Sequence, residues 1–81
     1  MATVLLDVRT ESEFADGHYD GAIHHDVQKI MDGILPPISK QDDIRIYCRS
    51  GMRAMAAEQL LKSAGFIHVT TIGGYNGTAY P

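Results

Sequence analysis

Hydrophobic and polar positions change period several times along the chain. Thr3 to Asp7 (TVLLD) is β-branched and apolar and ends in a polar residue, the pattern of a short buried strand. Thr10 with Glu13 three residues later is a capping-box spacing and predicts a short helix over about Ser12–Asp16, stopped by Gly17. Ala22-Ile23-His24 suits a small edge strand. Asp26 then reads as an N-cap, with Val27, Ile30 and Met31 on one helical face and Gly33 at the end. Pro36-Pro37 forces extended or turn structure.

Ile44 to Tyr47 (IRIY) predicts a second strand. Cys48 to Met52 is polar and contains glycine, as a loop does. From Arg53 to Ala64 the period becomes helical, with Ala56, Ala57, Leu60, Leu61 and Ala64 recurring and Gly65 placed to end the helix. His68 to Ile72 predicts the last strand, Gly73-Gly74 a turn, Asn76-Gly77 another, and the tail to Pro81 has no long periodic element. Strands separated by helices imply an α/β fold, a parallel sheet with helices packed on it. In such sheets the site lies at the carboxyl ends of the strands, and Cys48 sits at one.

The length of 81 residues suits one domain, residues 1–81. A chain this small buries about 60–65% of the surface its unfolded form exposes, so a shallow, loop-built site is expected. Hydrophobic residues at 44% and charged residues at 21% argue for a folded globular chain. No apolar run approaches the ~20 residues of a membrane span, and MATVLLDVRTESEF is not a signal peptide. A location in the periplasm after signal removal, or in the cytoplasm, stays open. Seven basic and ten acidic residues give a net charge of −3 with no basic stripe, which argues against a nucleic-acid partner. A single cysteine excludes an intramolecular disulfide.

That cysteine opens the segment Tyr47-Cys48-Arg49-Ser50-Gly51-Met52-Arg53-Ala54, between a strand and a helix. Backbone N–H groups of such a loop can turn toward one point, and the following helix adds free N–H groups and its positive dipole end. Gly51 permits a backbone conformation closed to other residues, and Arg49 and Arg53 add charge. The surroundings favour a Cys48 thiolate, the form that attacks a sulfur compound, and would hold an anionic persulfide or a sulfonate-like leaving group. The competing reading is a cysteine that serves as a small buried hydrophobe. The two arginines and the glycine at the turn favour chemistry.

In order and spacing the chain resembles the rhodanese (thiosulfate sulfurtransferase) family, in particular the small single-domain, exported, stress-induced bacterial members. The resemblance runs from Leu6-Asp7-Val8-Arg9 through Glu13-Phe14, Gly17-His18, Gly21-Ala22-Ile23-His24 and the Cys48 segment to Gly65-Phe66, Val69 and Gly73-Gly74-Tyr75. It implies a rhodanese-like, trimmed four-stranded parallel sheet flanked by helices. It also implies a catalytic Cys48, a substrate-binding cradle of Arg49, Ser50, Gly51, Met52 and Arg53, and no cofactor or metal. The implied reaction carries sulfane sulfur from thiosulfate to cyanide or a thiol through a Cys48 persulfide. A sulfur relay to a protein acceptor needs the same loop. A monomer without a membrane partner is expected.

The chain departs from the family pattern in three places. It lacks an amino-terminal strand and helix that many members carry. His24-His25-Asp26 stands where Asn-Ile-Pro is usual, and no tryptophan follows Gly73-Gly74. Related cysteine phosphatases use Cys-x5-Arg, whereas Arg53 here follows Cys48 as Cys-x4-Arg, which favours sulfur over phosphate.

Arg9 is expected to pair with Asp7 or Glu13 and tie down its loop. Asp7 is expected to orient or cap, not to act as an acid. His18 and His68 read as structural and surface residues, and the adjacent pair His24-His25 would point to opposite faces of a strand. Met52 reads equally as an exposed entrance residue or one packed over the second helix, and Tyr75 as a pocket wall or a core edge.

Overall fold

The computed structural model describes residues 1–77, so the expectation for the tail beyond Gly77 lies outside the described residues. Among the described residues seven elements follow one another: β1 (Thr3–Asp7), α1 (Glu11–Asp16), β2 (Ile23–His24), α2 (Val27–Met31), β3 (Asp43–Cys48), α3 (Met52–Ser63) and β4 (His68–Gly74). The strands form one sheet in the order β2-β1-β3-β4, every neighbouring pair parallel. This is the α/β, four-stranded parallel sheet flanked by helices that the sequence implies.

Strand alternation sets the two faces. Ile44, Ile46 and Cys48 point into the core shared with α2 and α3, where Val27, Ile30, Ala54, Ala57 and Leu61 meet them. Three small or branched residues at α3 positions 54, 57 and 61 form its buried stripe. Ala56 and Leu60, which share the helical spacing, are exposed, and so is Met31 on α2. The opposite face carries Asp7 and Tyr47, register partners across β1 and β3 and both fully buried.

Two boundaries differ from expectation in ways that matter. Cys48 is the last residue of β3, not the first of the loop. The Gly73-Gly74 pair, expected to turn, continues β4. Ile46 pairs with Thr71 but Cys48 pairs with Gly74, so β4 carries one extra residue there. Gly73, at φ 102°, absorbs this bulge in a left-handed conformation that needs no side chain. The strand thus stays beside Cys48.

Candidate active site

Two carboxyl strand ends and one helix start converge on Cys48. The cysteine is free and fully buried. The Gly51 N–H donates to its Sγ at 2.8 Å. Gly51 reaches that position at φ 95°, in the left-handed region, and is the N-cap of α3 with no side-chain capping bond. The first amides of a 12-residue helix are therefore left to meet an anion at the loop. From beneath, the Tyr75 N–H donates to the Cys48 carbonyl at 2.7 Å. Gly74 lies against Arg49, and a Cβ on it would overlap the Arg49 carbonyl oxygen.

The residues of the expected cradle divide into two groups. Arg49, Ser50 and Met52 are exposed at the loop, Met52 at 77%, so of its two readings the exposed one holds. Arg53 turns away toward α1. Its Nη1 and Nη2 donate to the two carboxylate oxygens of Glu13 at 2.6 and 3.0 Å. Glu13 also closes the α1 capping box, accepting from the Thr10 N–H at 3.1 Å. The Arg53 hydrogen bonds, with help from Thr10, hold the Glu13 carboxyl well below the usual 4.5, at about 2. The same pairing pushes Arg53 up.

Arg9 takes Asp7 as its partner, with Nη2 to Oδ2 at 2.7 Å and Nε to Oδ1 at 3.0 Å, and also donates to the Gly17 carbonyl at 2.6 Å. The Asp7 hydrogen bonds push the guanidinium up despite its burial. That guanidinium lies 4.7 Å from the Tyr75 ring centre and 5.6 Å from that of Tyr47. Burial pushes the Tyr47 phenol up, and its oxygen accepts the Tyr19 N–H at 3.1 Å. Tyr19 packs edge-on against both Tyr47 and Tyr75.

Arg9, Glu13, Asp16, Arg49 and Tyr75 line an open recess of about 180 Å³. Tyr75 is thus a wall of it. A larger groove of about 460 Å³, lined by Met1, Asp43, Lys62 and residues 67–70, lies at the amino ends of β3 and β4, away from Cys48.

The histidines near the site are held by backbone. His18 stacks on Phe14 with ring centres 3.6 Å apart and places Nδ1 2.8 Å from the Phe14 carbonyl. His24 Nε2 lies 2.7 Å from the Arg9 carbonyl, and His25 Nε2 2.8 Å from that of Ile34. No group of three or more metal-ligating side chains gathers among the described residues.

Three relations within the site leave no mark in the local sequence pattern. Glu13 is the partner of Arg53, but the capping box already accounted for it. Gly74 was hidden in a turn signal. The cluster of Tyr19, Tyr47 and Tyr75 draws on three distant segments, and no local pattern marks it.

Comparison with known proteins gives this arrangement a class. The rhodanese-like domain family matches residues 1–79, and the chain belongs to that family. Thiosulfate sulfurtransferase PspE of Escherichia coli (strain K12) is 29% identical over 77 residues, which cover 94% of this chain and 74% of that protein. The tRNA uridine(34) hydroxylase of Listeria welshimeri is 37% identical over 79 residues, covering 89% of this chain but 24% of the hydroxylase. Among solved structures, a rhodanese with anions from E. coli has a TM-score of 0.84 at 28% identity, covering 98% of this chain and 94% of that one. A rhodanese_3-like domain from Anabaena sp. has a TM-score of 0.79 at 34% identity, covering 88% and 82%.

Proposed function

We propose that this chain is a thiosulfate sulfurtransferase that carries sulfur as a persulfide on Cys48. The observation that carries the reading is the Gly51 N–H donated to Cys48 Sγ at 2.8 Å, at the uncapped start of α3. The hydrogen bond to sulfur and the helix dipole stabilise the negative charge that the sulfur carries when it attacks and when it departs. Likeness over 74% of the length of a thiosulfate sulfurtransferase supports this reading over that of the hydroxylases, of which the chain matches about a quarter.

In the first half-reaction the Cys48 thiolate attacks the sulfane sulfur of thiosulfate. A new S–S bond forms, the bond to the sulfonate sulfur breaks, and sulfite leaves with the electron pair. Arg49, Ser50, Gly51 and Met52 offer charge and amides to the departing oxygens, and Arg53, through Glu13, fixes the end of the cradle. In the second half-reaction cyanide or a thiolate takes the outer sulfur and Cys48 is released as thiolate.

Intact-mass measurement after incubation with thiosulfate tests the reading. A gain of about 32 Da is expected, absent in Cys48→Ser, which should stay folded. Turnover of thiosulfate and cyanide by Cys48→Ser would sink the proposal. A protein sulfur acceptor is the second reading, favoured by Met52 standing 77% exposed at the loop. Efficient transfer to cyanide at low concentration would count against it.

A further inference from the structure

We propose that Glu58 is a positioning residue for the Cys48 loop: by holding the Thr71 N–H from α3 it fixes β4 at the step before its bulge, and so sets Gly73, Gly74 and Tyr75 against the cysteine. Its bearing on sulfur transfer rests on the Cys48 persulfide reading, and it names a residue outside the loop on which that site depends.

β4 is an outer strand of the sheet, paired with β3 on one side only. Amides on its free side have no strand to meet. The Thr71 N–H is one of them, and it donates to Glu58 Oε1 at 2.8 Å. The other carboxylate oxygen accepts from Lys62 Nζ at 2.8 Å, one turn further along α3. Lys62 first, and Thr71 after it, hold the Glu58 carboxyl below its usual 4.5, so the acceptor stays charged at neutral pH. A charged acceptor makes the stronger kind of bond to a backbone amide. Lys62 serves the helix, whereas Thr71 ties the helix to the strand.

The place of that tie along β4 gives it a use. Ile46 pairs with Thr71 and Cys48 with Gly74, so Ile72 and Gly73 together stand opposite Tyr47. A strand that ends in two glycines specifies its register weakly, because either glycine could stand beside Cys48 with no side chain to forbid it. The bulge therefore has to be held from both sides. After it, the Tyr75 N–H donates to the Cys48 carbonyl at 2.7 Å. Before it, Glu58 holds Thr71. Val69 is buried in the core, but it lies two residues earlier and leaves Thr71 to Gly73 room to bow away from β3. The residues that the bulge delivers touch the loop. The Gly73 Cα lies 3.9 Å from where a Gly51 Cβ would stand, and Gly74 lies against the Arg49 carbonyl. Gly51 in turn donates its N–H to Cys48 Sγ. Releasing Thr71 lets the bulge relax toward a plain ladder, which moves Gly73 toward the place of Gly74 and draws Tyr75 off the Cys48 carbonyl. The start of α3 thus carries the end of the loop, and its middle braces the strand against which the loop is built.

Two readouts test the proposal, both at a temperature where every variant is fully folded, so that a loss of stability alone moves neither. The NMR amide signals of Gly51 and Tyr75 report their bonds to Cys48 and need no sulfur donor. Persulfide loading by thiosulfate, read by intact mass, reports the chemistry. In Glu58→Ala both amide signals should move while those of β1 stay in place, and loading should slow about tenfold, as misplacement of a reacting group does. Glu58→Gln keeps an oxygen for the Thr71 N–H and should restore both readouts. Lys62→Met removes the ion pair alone and should leave both near those of the natural protein. If Glu58→Ala does not fold, Glu58→Asp replaces it, being one methylene short of Thr71, and the same changes are expected. Unmoved Gly51 and Tyr75 signals overturn the proposal. So do a Glu58→Gln variant no better than Glu58→Ala, a Lys62→Met variant as impaired as Glu58→Ala, or moved signals with unchanged loading. If thiosulfate fails to load even the natural protein, the sulfurtransferase reading falls, and the amide signals alone decide whether Glu58 positions the loop.

Discussion

Gly74 has no room for a side chain. A Cβ there would overlap the Arg49 carbonyl oxygen and come within 2.7 Å of its carbon, and a backbone neighbour cannot step aside as a flexible side chain can. The loop after Cys48 therefore depends on a glycine in the adjacent strand. Gly74→Ala should destabilise the protein by about 1–3 kcal/mol, as overpacking does. It should also slow sulfur loading at least tenfold by displacing Arg49, and denaturant unfolding with a thiosulfate assay would measure both. A variant with normal loading would show that the loop tolerates the shift. At this scale the sequence was informative where chemistry is local. Cys48, Gly51 and the exposed Arg49 and Ser50 stand together as their spacing suggests. Gly74 was obscure because a glycine pair signals a turn equally well, and a clash with a distant carbonyl leaves no mark nearby.

Among the elements, α1 and α3 are joined across the mouth of the site by Glu13 and Arg53. The pattern of Thr10 and Glu13 correctly predicted the start of α1, and the periodicity of 53–64 correctly predicted α3, whose first helical residue is Met52. The joint between them was not legible, since charge pairs forty residues apart follow from the fold and not from spacing. Arg9 was open between two carboxylates, and the structure gives it Asp7, leaving Glu13 to Arg53. The joint has a consequence for pH. Glu13 sits at about 2 in the folded chain, below its usual 4.5, chiefly because of Arg53. Its contribution is therefore complete above about 4.5 and is lost as pH falls toward 2. Both side chains are partly exposed, at 36% and 26%, so solvent screening limits the contribution to the order of 1 kcal/mol. Thermal unfolding of Glu13→Gln should show a lower melting temperature than the natural protein at neutral pH, and the gap should narrow below about pH 4.5 and close as pH approaches 2. A gap that persists under acid would assign the effect to packing or to the α1 cap.

For the molecule as a whole, the polar face of the sheet matters as much as the apolar one. A folded chain of 81 residues has a stability of about 4–12 kcal/mol. Within that small margin it keeps Asp7 fully buried and Arg9 nearly so, bonded to each other, with the guanidinium also reaching the Gly17 carbonyl and the Tyr75 ring. This pair links the end of β1 to the end of α1 and to the residue following β4, three of the four segments that surround the recess. Removing one partner leaves an unpaired buried charge, which costs about 3–5 kcal/mol. Asp7→Asn should thus consume much of the total and unfold a visible fraction of the chain at 37 °C. Replacing both partners with apolar residues of similar size, as in Asp7→Leu with Arg9→Met, removes the stranded charge. Such double replacements are often neutral in stability, so the pair of changes should cost far less than the sum of the two alone. Urea unfolding of the four proteins forms the cycle. If the double variant is as stable as the natural chain yet loads sulfur slowly, the pair serves to place the recess and not to hold the fold. Strictly additive losses would instead mean that Asp7 and Arg9 act through separate partners.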